Sequence, residues 1–181
     1  IPEAGERIAE AAKIKPVVGM VNSQAASAAY WLASQCSELV MAPDSMAGSI
    51  GVRTAHMDAS KLYESKGVSI THVYAGKYKV EGADTGPMSD EYRNHLQAVV
   101  DQLYGSFTKA VAKGRNLPVD TVRGEAFGEG RMLLAKDAVA AGMADRIDTL
   151  EATVMRYAKR RNQKPGMSAE ARTRALALAS I

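Results

Sequence analysis

The chain has 181 residues, of which 46% are hydrophobic and 24% charged, and its net charge at pH 7 is +3. This length suits one domain with a sizeable core. No apolar run approaches the roughly 20 residues that span a bilayer, so we expect no membrane anchor in this chain. The charge is mild and much of the excess lies at residues 159–164, which argues against general nucleic-acid binding.

Cysteine and histidine are scarce. The single cysteine, Cys36, excludes an internal disulfide framework and a cysteine-based zinc site, and it fits a reducing compartment such as the cytoplasm. No two of the three histidines have metal-ligand spacing. Structural or surface roles are favoured by their positions, which are a turn (His56), a strand pattern (His72) and the polar side of a helix (His95).

The first fifty residues alternate between helix and strand patterns. The chain begins as a helix with Pro2 in its first turn, and a short apolar helix opens near Ser27. Between and after them we predict a buried strand at 16–21, a small-residue turn at 22–26, a strand at 38–42 and a glycine-rich turn at 47–51. Because the chain enters a fully apolar strand directly from a helix, we expect a strand upstream and regard the chain as a fragment.

The alternation continues to residue 161. The clearest helix has apolar residues from Tyr92 to Val111 that recur at i, i+4, i+7 and i+8, and Gly114 or Asn116 ends it. The other predicted segments are a helix capped by Asp58 and stopped at Gly67, a strand at 68–74, a polar loop at 76–87, a helix opened by Pro118, a turn at 128–130, a helix at 136–141, a strand at 144–147, and a helix at 149–161 with Leu150, Val154 and Tyr157 on its inner face.

This order of elements predicts an α/β fold with a mostly parallel sheet flanked by helices. Apolar runs such as VVGMV and ELVMA are typical of strands that are covered on both faces. We predict one domain over residues 1–161, followed by a linker and C-terminal tail at 162–181.

Ser27 is the first candidate for chemistry, because its hydroxyl lies where a strand passes into a helix. Free N–H groups and the helix dipole at that point favour developing negative charge, which is the setting that a serine nucleophile would use. A plain N-cap serine is also common there. The strand and helix patterns do not distinguish the two.

A serine nucleophile needs a base within hydrogen-bond reach, and lysine is the better placed option. Lys77 and Lys79 follow a predicted strand in the glycine-containing loop AGKYKVEG. A lysine is a base only when neutral, so its ordinary pKa of about 10.4 must fall by about three units through burial and fixed hydrogen bonds. Ser49, in the turn AGSIG, carries a hydroxyl that could orient such an amine. Most lysines in polar loops are simply solvated, so both interpretations stand at this point.

Several segments together resemble peptidase family S49, which contains bacterial signal peptide peptidases and phage capsid assembly proteases. They are KPVVGMVNSQAASAAYWLAS, the strand after it, GSIGV, YAGKYKVEG and GEGRMLLAKDAVAAGMADRID, and the likeness covers residues 2–158. It implies a ClpP/crotonase-like fold and a Ser–Lys dyad that needs no metal and no organic cofactor.

The resemblance also implies a role for individual residues. Ser27 would be the nucleophile, Lys79 the general base and Ser49 the residue that binds the lysine amine. Ala28 would supply one backbone N–H of the oxyanion hole, and the glycine-rich loop that supplies the rest would lie upstream of Ile1. Because losing one donor costs on the order of 10² to 10³ in rate, we expect the chain to be impaired as it stands.

Within the family, ITHVYAGKYKVEG and EATVMRYA are closer to the lambdoid phage head proteases. This likeness implies a capsid assembly protease that forms a homo-oligomeric ring and cleaves scaffold, portal or coat proteins inside a prohead in the host cytoplasm. The tail would then lead to a scaffold-like segment. Three alternatives remain: the soluble domain of a bacterial signal peptide peptidase, a non-proteolytic scaffold-binding module, and an acyl-CoA enzyme of the crotonase type.

Overall fold

The computed structural model describes residues 1–163, with side chains as far as Lys159. From residue 164 on, the predicted linker and tail therefore lie outside the described residues. The elements are α1 (Pro2–Ile14), β1 (Val18–Val21), β2 (Gln24–Ala26), α2 (Ala28–Ala33), β3 (Glu38–Met41), β4 (Met46–Gly48), α3 (Ser60–Ser65), α4 (Asp90–Arg115), α5 (Val119–Arg123), a 3-10 helix (Glu125–Gly130), β5 (Met132–Leu134), α6 (Ala135–Ala140), β6 (Arg146–Ile147) and α7 (Leu150–Gln163).

The strands form two small sheets. Sheet A has the order β1-β3-β6 and is parallel throughout, whereas sheet B has the order β2-β4-β5, with β2 parallel and β5 antiparallel to β4. The predicted α/β class and mostly parallel sheet are confirmed. The predicted turns at 22–26 and 47–51 are partly wrong, since β2 and β4 occupy them, and β5 was not predicted. Strands of three residues are too short to show a periodic pattern.

Helix α2 joins the core through Tyr30 and Trp31. Tyr30 is fully buried, and its hydroxyl donates a hydrogen bond to the Met143 carbonyl at 2.9 Å. The next residue, Trp31, stacks on Phe107 of α4 with ring centroids 4.9 Å apart. These contacts hold the start of α2 between the sheets and α4, which fixes the position of Ser27.

Helix α4 ends at the second of the two predicted positions. It continues through Gly114, where a Cβ would collide with the Ser34 carbonyl of α2, and ends at Asn116 in the left-handed conformation (φ 54°). Its apolar stripe is buried only in the C-terminal half, because Val99 and Leu103 are exposed. The N-terminal half therefore projects beyond the core.

Residues 53–89, which we call the arm, contain no buried residue. The predicted helix is confirmed, but its N-cap residue is Ala59 and not Asp58. Asp58 Oδ1 instead accepts a hydrogen bond from Ser60 N, the first residue of the helix, at 2.9 Å. The predicted strand at 68–74 is wrong: it pairs with no strand in the described part of the chain, and Val73 is 96% exposed. Alternating β-branched residues favour a strand, but they do not supply the partner that its backbone needs.

The face of α7 that turns inward differs from the prediction. Leu150 and Val154 are 53% and 57% exposed, whereas Thr153 is only 4% exposed. Tyr157 does turn inward, and its hydroxyl donates to Glu38 Oε2 at 2.5 Å. The helix is thus held to β3 mainly by polar contacts, which an apolar pattern cannot indicate. Among the helices described, none is long and apolar enough to cross a membrane.

Candidate active site

Sheet B brings the two candidate serines together. Strands β2 and β4 are parallel with Ala26 opposite Gly48, and Ser27 N donates to the Gly48 carbonyl at 2.9 Å. Parallel strands end at the same edge of a sheet, so the residues that follow them, Ser27 and Ser49, leave it side by side. Both line one cavity of about 820 Å³, as does Ala28, the first residue of α2.

The backbone at Ser27 is in an unusual conformation, with φ 52° and ψ −116°. A positive φ is uncommon for any residue with a Cβ, and such strain costs on the order of 1–3 kcal/mol. An N-cap serine has an extended backbone and accepts a hydrogen bond from the helix, but the Ser27 side chain makes no such bond. Ser27 therefore occupies the N-cap position of α2 without capping the helix through its side chain. Within the described chain, the Ser27 hydroxyl has no hydrogen-bond partner.

Ser49 is also held at a positive φ, 55°, and its N–H donates to the Arg131 carbonyl at 2.9 Å. The residue before it, Gly48, has φ 138°, and an added Cβ would collide with the same carbonyl. Only glycine allows the chain around Arg131 to approach so closely. Gly48 and Arg131 are thus positioning residues that sequence reasoning missed, because nothing local indicates that these two segments meet.

The rest of the cavity wall comes from several other segments of the chain. Trp31, Leu103 and Phe107 provide large apolar surfaces beside Ser27, and Arg53 and Glu129 add charged groups. These residues were not candidates at the level of the sequence, since no motif links positions so far apart. The cavity can accept apolar side chains next to a serine hydroxyl, which is what an extended peptide would present.

Lys79 lies elsewhere in the single chain. It is in the arm, where its N–H donates to the Gly76 carbonyl at 3.1 Å, and its side chain is exposed. It does not line the cavity of Ser27, and its amine has no hydrogen bond or ion pair with any described residue. Lys77, in contrast, is engaged: hydrogen bonds to the Tyr78 hydroxyl and Glu91, with the charge of Glu91, raise the pKa of Lys77. The structure thus brings Ser27 and Ser49 together but does not bring Lys79 to them.

The histidines are in structural or surface positions, as predicted. His56 Nε2 is 3.0 Å from the Gly86 carbonyl, His72 Nε2 is 2.9 Å from Thr85 Oγ1, and His95 is exposed. In the described part of the chain, no group of three or more histidine, cysteine or acidic side chains is placed to hold a metal ion.

Comparison with known families agrees with this geometry. Residues 9–164 match the sequence model of Peptidase family S49. The chain belongs to peptidase family S49. The resemblance noted in the sequence is therefore confirmed, and so is the ClpP/crotonase-like fold that it implies.

Relatives in family S49 include phage and chloroplast proteins. Capsid assembly protease C of Escherichia phage lambda is 33% identical over 158 residues, covering 86% of this chain and 35% of the relative. Head-tail preconnector protein GP5 of Enterobacteria phage P21 is 35% identical over 133 residues, covering 74% of this chain and 26% of the relative. The chloroplastic serine protease SPPA of Arabidopsis thaliana is 31% identical over 144 residues, covering 79% of this chain and 21% of the relative. The chain thus spans well under half the length of these relatives.

Solved protease structures also align with the chain. A mutant of the 1510-N membrane-bound stomatin-specific protease, in complex with a substrate peptide, is 16% identical with a TM-score of 0.45. The alignment covers 83% of this chain and 55% of that one.

Proposed function

We propose that this chain carries the catalytic residues of a serine endopeptidase, with Ser27 as the nucleophile, Lys79 as the general base and Ser49 as the residue that orients the lysine amine. The proposal rests on the backbone conformation and the surroundings of Ser27. Its hydroxyl is not used to cap α2, its backbone is strained, and it faces a cavity lined by apolar side chains and a second free hydroxyl. Strain of this kind at a serine that follows a strand is typical of a nucleophile held for attack.

The reaction would proceed through an acyl-enzyme. Ser27 Oγ attacks the scissile carbonyl carbon as its proton passes to the neutral Lys79 amine, and the Ala28 N–H donates to the oxyanion that forms. The C–N bond then breaks, the leaving amine takes the proton from Lys79, and an ester remains on Ser27. Lys79 next removes a proton from water, and the resulting hydroxide attacks the ester carbonyl. The ester C–O bond then breaks, the carboxyl product leaves, and Ser27 Oγ takes the proton back from Lys79, which restores both groups. No step needs a metal ion or an organic cofactor.

We further propose that the protein forms a homo-oligomeric ring in which the arm packs on a neighbouring copy and Lys79 reaches that copy's Ser27. A neutral amine requires burial, and the Lys79 side chain is exposed in the single chain. The arm also leaves large apolar side chains in solvent, among them Met57, Val73 and Tyr74. Such a surface is typical of one that a partner covers.

The biological role we propose is capsid assembly in a phage or prophage, with scaffold, portal or coat proteins as substrates. It is supported by the likeness of the sequence to lambdoid head proteases and by the two phage relatives. The alternative within the family is the soluble domain of a bacterial signal peptide peptidase. A hydrophobic anchor upstream of Ile1 would favour that alternative, and neighbouring capsid genes would favour the phage role.

The dyad is tested in the full-length protein by cleavage of fluorescein-labelled casein and by labelling with a fluorophosphonate probe. Ser27→Ala and Lys79→Ala should each abolish cleavage. The probe should label the wild-type protein at Ser27 and should not label Ser27→Ala. Lys66→Ala, which changes another exposed lysine of the arm, is the matched control and should retain activity. Full activity in Lys79→Ala would refute the dyad. Failure of the probe to label Ser27 in the wild-type protein would favour a non-proteolytic binding module on the same fold.

The placement of the dyad between copies is tested by mixing. When Ser27→Ala and Lys79→Ala subunits are unfolded and reassembled together, roughly a quarter of the interfaces in a ring pair an intact serine with an intact lysine. Cleavage should therefore return. A dyad formed within one chain predicts no recovery, because no subunit then holds both groups.

A further inference from the structure

The two lysines of the loop AGKYKVEG, Lys77 and Lys79, have different surroundings. The difference suggests a role for Lys77, which is not the proposed base. Building on the proposed Ser–Lys dyad, we propose that Lys77, Tyr78 and Glu91 form a clasp that positions Lys79. None of the three would touch the substrate or the reacting atoms. Their task would be to hold the loop against the first turn of α4 so that the Lys79 amine is presented in one place.

The clasp consists of three mutual contacts. Lys77 Nζ donates to the Tyr78 hydroxyl at 2.8 Å and to Glu91 Oε1 at 3.2 Å, and the Tyr78 hydroxyl donates to the same Glu91 oxygen at 2.8 Å. The Lys77 ammonium also lies 4.5 Å from the centroid of the Tyr78 ring. Hydrogen bonds to an ionised carboxylate are stronger than those between neutral groups. Lys79 follows Tyr78 directly in the sequence, so this set of contacts fixes the residue next to the proposed base.

Glu91 is a firm anchor for such a clasp because it lies in the first turn of α4, where the helix dipole favours a carboxylate. The same turn is capped by Ser89, whose hydroxyl accepts a hydrogen bond from Tyr92 N at 3.1 Å. Tyr92 in turn supports the far side of the loop: a Cβ on Gly82 would lie 2.5 Å from its hydroxyl oxygen. The loop therefore approaches the first turn of α4 on each side of Lys79, through the clasp before it and through Gly82 after it.

The clasp also separates the charges of the two lysines. Glu91 is occupied by Lys77 and Tyr78, whereas Lys79 has no acidic partner among the described residues. A carboxylate beside the base would favour its charged form and make it a poorer base. Lys77 thus takes the ion pair, and Lys79 is left free to act.

The test uses full-length protein, fluorescein-labelled casein for kcat and KM, and the rate at which a fluorophosphonate labels Ser27. Glu91→Gln, Tyr78→Phe and Lys77→Met should each lower kcat and the labelling rate by about threefold to tenfold, the scale of an exposed, hydrogen-bonded ion pair, with KM unchanged. Lys77→Arg keeps a cation that can pair with Glu91 and should stay within about twofold of wild type.

The matched control is Glu10→Gln, which breaks the exposed Arg7–Glu10 pair of α1, 3.0 Å long, and should change neither rate. Wild-type kcat in both Glu91→Gln and Tyr78→Phe, with Lys79→Ala inactive, would overturn the clasp while the dyad stands. A fall in kcat that is matched by loss of the oligomer or of thermal stability would assign these contacts to folding and would also overturn it. Activity in Lys79→Ala would instead remove the dyad itself.

Discussion

The strain at Ser27 makes a prediction that is independent of any substrate. Replacing Ser27 by alanine removes the hydroxyl but keeps the Cβ that makes φ 52° unfavourable. Replacing it by glycine removes both. Because the two variants lack the proposed nucleophile, both should be inactive, and they should differ only in what the backbone conformation costs.

The expected difference follows from two opposing effects. Relief of strain at this conformation favours glycine by roughly 1–3 kcal/mol. The greater conformational freedom of glycine in the unfolded chain destabilises the folded state by about 0.5–1 kcal/mol and so offsets part of this gain. Taken at the middle of both ranges, Ser27→Gly should therefore be more stable than Ser27→Ala by about 1 kcal/mol. For a protein of this size, that difference raises the melting temperature by roughly 2–4 °C.

The measurement is thermal and urea unfolding followed by circular dichroism, at one protein concentration because assembly shifts apparent stability. Ser106 provides the control, since it lies inside α4, where glycine is less favourable than alanine by about 1 kcal/mol. The order of the two variants should thus be reversed at Ser106. If Ser27→Gly is no more stable than Ser27→Ala, the backbone at Ser27 is not strained and the main support for the proposed nucleophile is lost.

Three further predictions concern the contacts around the site and the core. Gly48→Ala should abolish cleavage and lower stability by about 1–3 kcal/mol, because the new Cβ would push away the Arg131 carbonyl that Ser49 binds. Tyr30→Phe should lower the free energy of unfolding by about 1–2 kcal/mol, since it leaves a buried carbonyl without its donor. Asp145→Asn should cost about 1–2 kcal/mol at pH 7, because it breaks the pair between Asp145 and the largely buried Arg115, 2.7 Å long.

The last of these effects depends on pH. Burial tends to raise the pKa of Asp145, but hydrogen bonds from Arg115 and Leu39 N, with the guanidinium charge, outweigh it and lower the pKa below its ordinary value. The stabilisation is therefore complete above the unfolded pKa of about 3.9 and is lost as the pH falls through the lower folded value. Wild type and Asp145→Asn should therefore converge in urea unfolding as the pH falls below the folded pKa of Asp145. A difference that stays constant from pH 7 to pH 3 would contradict this assignment, as would unchanged cleavage in Gly48→Ala or unchanged stability in Tyr30→Phe.

The sequence by itself determined those features that depend on neighbouring residues and on the order of the elements. The spacing of apolar residues predicted α4, continuous apolar runs predicted β1 and β3, and the order of elements predicted the α/β class. Short motifs also carried the resemblance to family S49, which named Ser27, Ser49 and Lys79 as candidates. Each of these signals is contained in a few neighbouring residues, so no knowledge of the fold was needed to see it.

Tertiary structure decided what depends on segments distant in sequence. The meeting of Ser27 and Ser49 rests on the parallel register of two three-residue strands, which are too short to be recognised by pattern. The strain at Ser27 accompanies the hydrogen bond from its N–H to Gly48, and residues 68–74 are not a strand because none of the described strands pairs with them. A hydrophobic pattern reports which side chains avoid water, but not which backbone groups pair. The pairing of those groups is what placed a free hydroxyl in the cavity.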